Sequence, residues 1–170
     1  MQLGKVLAAL VATALAVPAG SAPAAKADEE AQIRNALVDG CTGFVNKDLA
    51  RATALYSPDL YTFDLSPSQH NNYTELIEAN RQLIGAIEGT PTCIYHDMFI
   101  KVYGNNAYAH YILSYTATLK SGDKIDVDGR GTDIFEKVGG KWKVVHEHFS
   151  LPSNPVTGQA VLKSGSKPKS

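Results

Sequence analysis

The stretch Gly140-Lys-Trp-Lys-Val-Val-His-Glu-His-Phe-Ser-Leu-Pro152 decides the fold of this chain. Val, Trp and Phe are typical strand residues, and the Gly-Gly pair formed with Gly139 favours a tight hairpin turn, so a strand is predicted over Lys141–Ser150. The β-rich segment 125–137 is its hairpin partner. Two more β-rich segments precede this pair, at residues 92–102 and 107–119, with turn residues between them. The C-terminal half therefore predicts an antiparallel meander of four strands.

Helical patterns occupy the region before the meander. Apolar residues recur at spacings of three and four from Asp28 to Asn46, which predicts an amphipathic helix. Gly40 and Gly43 within it either weaken this helix or let another backbone approach closely. The following elements are a short helix capped by Asp48, a strand, a polar loop and a third helix, at residues 48–56, 60–65, 66–72 and 73–87. Helices followed by a meander are typical of the α+β class.

The same order of elements is that of the SnoaL-like, or ketosteroid-isomerase-like, fold. The stretch from Gly140 to Pro152 resembles the SnoaL-like subgroup that includes the association domain of calcium/calmodulin-dependent kinase II. Asp48-Leu-Ala50, Leu55-Tyr-Ser-Pro-Asp59 and Gly131-Thr-Asp-Ile-Phe135 carry the rest of the resemblance. It implies a cone-shaped (cystatin-like) α+β barrel, in which three N-terminal helices pack on a curved, mostly antiparallel sheet.

The first residues predict an export signal. Lys5 precedes an apolar run, Val6–Val17, which is too short to cross a bilayer core of about 30 Å. Small residues in Ala25-Lys-Ala27 predict cleavage before Asp28, with Ala22-Pro-Ala24 as the second choice. We therefore expect a signal peptide at 1–27, a SnoaL-like domain at 28–152 and a disordered tail at 153–170. The mature protein is expected to be periplasmic or secreted and free of the membrane.

The composition excludes several classes of function. Lys and Arg total 16 against 17 Asp and Glu, and no basic run of five occurs, so nucleic acid is not an expected partner. The sequence contains no glycine-rich phosphate loop, Gly-x-Ser-x-Gly elbow or Cys-x-x-Cys pair. Cys41 and Cys93 either form one disulfide in an oxidising compartment or are buried as small apolar residues.

Asp133 and Glu147 are the first candidates for catalysis, because they lie on the two strands of the predicted hairpin. The resemblance suggests that the face bearing Asp133, Val145, Glu147 and Phe149 points into the cone. Two carboxyls in an apolar cone give at least one raised pKa, which suits proton abstraction and return. Solvent exposure, or pairing with Arg130 or Lys143, is the alternative. The opposite face is expected to brace the sheet or to meet a partner subunit, and it comprises Arg130, Thr132, Trp142, His146, His148 and Ser150.

Further candidates surround this pair. Asp64 is a second acid–base group or the cap of the loop that follows it. Arg81, on a mostly apolar helix face, either clamps an anionic group of the substrate or points outward. Tyrosines can bind substrate and donate to a developing oxyanion. The predicted substrate-binding residues are Tyr56, Tyr61, Arg81, Tyr111, Tyr115 and Phe149, with Tyr95 also well placed.

No metal or cofactor is expected. His146 and His148 share one strand face, but a third ligand is not evident, so they are interpreted as scaffold or dimer contacts. Together these features predict an exported, cofactor-independent enzyme that uses acid–base catalysis (isomerase, dehydratase or carbon–carbon lyase) on a small apolar or aromatic molecule, working as a homodimer. A non-catalytic ligand-binding or self-association module is the alternative.

Overall fold

The computed structural model describes residues 22–66 and 68–163, so the apolar run of the predicted signal peptide lies outside the described residues. The helices are α1 (Ala22–Val45), α2 (Leu49–Thr53) and α3 (Tyr73–Ala86). The strands are β1 (Tyr56–Phe63), β2 (Asn71–Asn72), β3 (Ile87–Tyr103), β4 (Asn106–Leu119), β5 (Lys124–Val138) and β6 (Lys141–Ser150). No helix in the described part of the chain is long and apolar enough to cross a membrane.

The strands form one sheet in the order β2-β1-β6-β5-β4-β3. Strands β3 to β6 pair antiparallel, as the meander predicts, whereas β1 runs parallel to β6 with Thr62 opposite Glu147. Helix α1 packs against β3 and α2, and α3 packs against β1. The predicted α+β architecture, three helices on a curved and mostly antiparallel sheet, is confirmed.

Local side-chain contacts explain where the helices begin. Asp48 accepts a hydrogen bond from the N–H of Arg51 at 3.1 Å, which confirms it as the cap of α2. Asn72 and Glu75 form a reciprocal capping box at the start of α3. Several bounds differ from the prediction: α1 begins at Ala22 rather than at Asp28, and β1 begins at Tyr56 rather than at Leu60. The short strand β2 lies in the segment predicted as a polar loop, and α3 passes directly into β3.

The segment expected to end α3 lies inside β3 instead. Gly89 has φ +65°, and the pairing of β3 with β4 is irregular between Glu88 and Thr92. The glycine therefore makes a bulge within a strand rather than a break after a helix.

The core lies between the helices and the inner face of the sheet. Ile33 and Leu37 of α1 are buried against Phe135 and Val144 of β5 and β6, all at 0–1% exposure. Gly43 lets α2 approach α1, because a Cβ at this position would lie 2.3 Å from the backbone nitrogen of Ala52. Of the two readings of this glycine, close backbone approach is the correct one.

A bulge in β6 changes which of its residues face the core. Ile134 pairs with His146 and Phe135 pairs with Val144, so Val145 is the extra residue on β6. Before this bulge Trp142 and Val144 are buried, whereas Val145 is partly exposed. The expectation that Val145 faces inward and Trp142 outward is therefore wrong, while the inward face holds from Glu147 onward.

Cys41 and Cys93 form a disulfide between α1 and β3, with their Cα atoms 5.5 Å apart. This bond resolves the choice between a disulfide and two buried thiols. It fixes the first helix to the edge strand of the sheet.

The described part of the predicted tail contacts the sheet. Ser153 and Ala160 form an isolated β-bridge, and the N–H of Asp128 on β5 donates to the carbonyl of Leu162 at 2.7 Å. Lys163 is within 3.0 Å of the Asp126 and Asp128 carboxylates. Residues 153–163 thus run back along β5.

Candidate functional site

A cavity of about 420 Å³ lies between the inner face of the sheet and helices α1 and α3. Most of its lining is apolar or aromatic. The side chains that line it include Phe44, Leu55, Leu76, Leu83, Leu113, Ile125, Val127 and Phe149. A cavity of this size holds a small organic molecule and excludes a macromolecule.

Asp133 and Glu147 form the polar centre of this cavity. They lie directly opposite each other on β5 and β6, where side chains of paired residues are about 5 Å apart at Cβ. Asp133 is 1% exposed, and both of its carboxylate oxygens lie 3.1 Å from the Tyr111 hydroxyl. The Tyr56 hydroxyl donates to Oε2 of Glu147 at 2.8 Å.

No cation neutralises this carboxyl pair among the described residues that line the cavity. Arg130 is exposed on the opposite face of β5, and Lys143 donates to the carbonyl of Ala54. The proposed alternative, in which Arg130 or Lys143 pairs with one carboxyl, is therefore not what the structure contains.

Burial dominates the electrostatics of the pair. It raises the pKa of Asp133 well above 3.8, with a further contribution from the charge of Glu147 and an opposing one from the Tyr111 hydrogen bond. Burial also raises the pKa of Glu147 to about 7; the Tyr56 hydrogen bond opposes this rise and the charge of Asp64 adds to it. Burial therefore favours the protonated form of Asp133 beyond the ordinary range of an Asp carboxyl, and Glu147 both gives and takes a proton near neutral pH.

Two glycines of β5 let aromatic rings lie over this strand. A Cβ on Gly131 would lie 2.1 Å from Cε2 of Tyr111, and a Cβ on Gly129 would lie 2.0 Å from Cζ of Phe149. Tyr111 crosses Gly131, its partner on the neighbouring strand, to reach Asp133. Gly131, two residues before Asp133, thus leaves the space in which the Tyr111 ring lies and from which its hydroxyl reaches the Asp133 carboxyl.

The remaining tyrosines form polar parts of the cavity wall. The Tyr95 ring packs edge-on against Tyr111 at a centroid distance of 4.7 Å, and burial raises the pKa of Tyr95 well above 10. Tyr115 packs edge-on against Phe44, and burial raises its pKa to about 12. Its buried hydroxyl has no hydrogen-bond partner within residues 22–66 and 68–163. These phenols stay protonated at physiological pH.

Asp64 lines the cavity and also caps the loop that follows it. Its Oδ1 accepts from the N–H of Ser66 at 2.7 Å, and its Oδ2 accepts from Nδ2 of Asn71 at 2.9 Å. Both carboxylate oxygens are therefore engaged in the loop. Capping accounts for this residue, and its charge acts on Glu147 through space.

Three of the predicted substrate-binding residues, Arg81, Tyr61 and Tyr111, do not line the cavity. Arg81 is exposed and pairs with Glu78 on the surface of α3 at 3.1 Å. Tyr61 is 43% exposed on the other face of the sheet, where its ring stacks on His70 at 4.7 Å. Tyr56, Tyr115 and Phe149 line the cavity, and Tyr111 lies behind Asp133 rather than in the wall.

The side of α3 that meets the cavity carries Leu76, Asn80 and Leu83. Asn80 was not among the predicted site residues. Its Nδ2 donates to the carbonyl of Leu76 at 2.9 Å, which leaves the amide oxygen to accept from a ligand. The spacing of Leu76, Asn80 and Leu83 at four and three is the signal that indicates this face.

His146 lies on the outer face of the sheet. Its Nδ1 is 2.8 Å from the carbonyl of Tyr61, and its ring packs edge-on against Phe63 at 5.5 Å. The described residues contain no group of three His, Cys, Asp or Glu arranged to hold a metal. These contacts fit the interpretation of His146 as scaffold.

Helices packed on a curved, mostly antiparallel sheet form the architecture of the SnoaL-like and NTF2-like proteins. The family model described as SnoaL-like domain matches residues 33–154. This chain belongs to the SnoaL-like family. No curated protein matches the chain.

Several solved structures share the fold. An NTF2-like protein of unknown function from Pseudomonas putida KT2440 aligns with a TM-score of 0.73 and 20% identity, covering 82% of this chain and 98% of that one. A candidate scytalone dehydratase from Novosphingobium aromaticivorans aligns with a TM-score of 0.65 and 15% identity, covering 72% of this chain and 83% of that one. A candidate calcium/calmodulin-dependent protein kinase II association domain from Xanthomonas campestris aligns with a TM-score of 0.60 and 21% identity, covering 81% of this chain and 93% of that one.

Proposed function

We propose that this protein is an exported, cofactor-independent enzyme that isomerises, dehydrates or cleaves a carbon–carbon bond of a small apolar or aromatic molecule by acid–base catalysis. The observation that carries the proposal is the pairing of Asp133 with Glu147 at the base of an apolar cavity. Their hydroxyl partners hold each carboxyl in place while leaving it in the cavity wall. The dehydratase named among the structural neighbours supports the reaction class.

The chemistry follows from the different protonation of the two carboxyls. Glu147, with a pKa of about 7, takes a proton from a carbon made acidic by a neighbouring carbonyl. The negative charge that develops on the carbonyl oxygen is stabilised by hydrogen bonds from neutral Asp133 or the Tyr95 hydroxyl. Glu147 then returns its proton to another carbon, which completes an isomerisation, or to a departing hydroxyl, which completes a dehydration.

A turnover screen with matched variants tests this proposal. Ketones and β-hydroxy ketones on aromatic or polycyclic frames are incubated with the wild-type protein and with Glu147→Gln, which keeps an acceptor for Tyr56. The expected result is turnover that falls at least about 100-fold in Glu147→Gln, since general acid–base catalysis contributes about that much. Glu136→Gln, on the exposed face of β5, is the matched control and retains full turnover. Equal turnover by Glu147→Gln and wild type would overturn the assignment.

Self-association is the second candidate, and the outer face of the sheet favours it. Tyr61, Phe63, Phe99 and Ile134 on the strands are 37–47% exposed, and exposed apolar side chains that share one face are typical of an interaction surface. If the protein is an enzyme, we propose that this face is the interface of its homodimer; in the second candidate function the same face builds a larger, non-catalytic assembly. Light scattering of the purified protein distinguishes the two candidates: a dimer with turnover supports the enzyme, and a larger closed ring without turnover supports a non-catalytic assembly module.

Export is part of the proposal, and the Cys41–Cys93 disulfide supports it because such bonds persist in oxidising compartments. Cell fractionation followed by mass spectrometry tests it. The expected result is a periplasmic or secreted product that begins at Asp28 and contains no free thiol. A cytoplasmic product that retains Met1 would contradict it.

A further inference from the structure

The charges that line the cavity are all of one sign. Asp64, Asp133 and Glu147 are acidic, and none of the lining residues within the described part of the chain is Lys, Arg or His. The nearby cations are engaged elsewhere: Arg51 pairs with Asp39, and Arg81 pairs with Glu78, both at the surface. A ligand that carries a carboxylate or phosphate finds no partner for its charge here.

The walls above these carboxyls are aromatic. Rings of Phe44, Tyr56, Tyr95, Tyr115 and Phe149 line the cavity. Aromatic faces attract cations, and more strongly where water is excluded. A buried carboxylate without a counter-charge is costly, so a bound cation relieves the cost that the protein itself leaves uncompensated.

We propose that the cavity takes an aromatic or alicyclic molecule that bears a protonated amine, whose ammonium group pairs with the Glu147 carboxylate while its rings pack on the tyrosines. This inference deepens the proposed function and rests on it in using the same cavity and the same carboxyl pair. Neutral molecules of the same shape bind more weakly, and anionic ones are excluded.

The amine preference depends on pH through Glu147. The titratable groups that face it are Asp133 from β5, Tyr56 from β1, Asp64 after β1, and Tyr95 and Tyr111 from β3 and β4. The tyrosines remain neutral in the physiological range. Protonation of Glu147 therefore removes the charge that attracts the amine as the pH falls below about 7.

Three probes that share a naphthalene frame test the proposal: 1-naphthylmethylamine, 1-naphthylmethanol and 1-naphthoate. Their affinities for the full protein are measured by calorimetry at pH 8 and pH 5. The expected result at pH 8 is an amine that binds about tenfold or more tighter than the alcohol, as a charge-assisted hydrogen bond gives, and a naphthoate that does not bind. At pH 5 the amine loses its advantage over the alcohol.

Glu147→Gln is expected to abolish the preference for the amine over the alcohol at pH 8. Glu136→Gln is expected to keep that preference. The proposal is overturned if the alcohol binds as tightly as the amine at pH 8, if the preference persists in Glu147→Gln or at pH 5, or if no probe binds. Its failure is distinguishable from that of the proposed function. If the wild type turns over a substrate, Glu147→Gln does not, and the probes show no charge preference, only the amine proposal fails. If the probes show the charge preference but no substrate is turned over, only the proposed catalysis fails.

Discussion

Replacing Glu147 by Gln is expected to stabilise the protein above neutral pH, and the size of the effect follows from the burial of this side chain. The folded state holds the pKa of Glu147 at about 7, whereas the unfolded chain releases the proton near 4.5. The carboxyl therefore favours the folded state fully below pH 4.5. This contribution is lost as the pH rises from 4.5 to 7 and is constant above that.

The difference between these two pKa values corresponds to roughly 3 kcal/mol in the free energy of unfolding. This is an upper bound, because the titrations of Glu147 and Asp133 are coupled and part of the shift belongs to the pair. Glu147→Gln removes the ionisation but keeps the acceptor for the Tyr56 hydroxyl. We expect the variant to be about 1–3 kcal/mol more stable than wild type at pH 8 and to show little difference at pH 4.5. A group that destabilises the fold when charged is typical of a functional site rather than of a structural one.

Urea unfolding at pH 4.5 and pH 8, followed by tryptophan fluorescence of the buried Trp142, measures both free energies of unfolding. Glu136→Gln, whose side chain is exposed on the neighbouring strand, serves as the control. Its free energy of unfolding is expected to equal that of the wild type at both pH values. If wild type and Glu147→Gln lose stability in parallel, or if the variant is less stable at pH 8, the argument from burial is wrong.

Three further predictions follow from contacts away from Glu147. Cys41→Ser with Cys93→Ser opens a loop with a sequence separation of 52 and is expected to cost roughly 4 kcal/mol in thermal unfolding; an unchanged melting temperature would refute the disulfide. Gly131→Ala displaces the Tyr111 ring and is expected to cost about 1–3 kcal/mol, whereas Gly85→Ala, which has open space, is neutral or stabilising; equal effects would contradict the packing. Arg81→Ala is expected to leave probe affinity unchanged and stability within about 1 kcal/mol, and a loss of affinity would return Arg81 to the site.

The fold was accessible from the sequence because local rules specify most of it. The Gly139-Gly140 turn and the β-rich segments on both sides set the meander, and Asp48 marks a helix start by its side-chain chemistry alone. The parallel pairing of β1 with β6 is different, since it joins residues about 85 positions apart and no local pattern encodes it. The bulge at Val145 is also invisible to periodicity, because Val144 and Val145 are chemically identical and either could be the extra residue.

The carboxyl pair was accessible through the resemblance, which predicts that Asp133 and Glu147 share the inward face, and not through the hairpin register. Regular pairing from Val138 with Lys141 would place Asp133 opposite His146, and the extra residue Val145 brings it opposite Glu147 instead. Arg81 was misplaced because it lies one position beyond Asn80, and one residue turns a helix by about 100° away from the cavity-facing line. Tyr61 was misplaced because Leu60 and Thr62 on either side of it are the buried residues of β1.

The central claim is that Glu147 exchanges a proton near neutral pH inside the cavity. Carbon NMR of protein labelled at its Asp and Glu carboxyl carbons measures this directly. The account predicts one glutamate resonance that titrates near pH 7 and is missing from Glu147→Gln, with an Asp133 resonance that titrates well above the ordinary range of an Asp carboxyl. If every carboxyl of the protein titrates below about pH 5.5, the ordinary range for solvated Asp and Glu, the pair is not the acid–base centre proposed here.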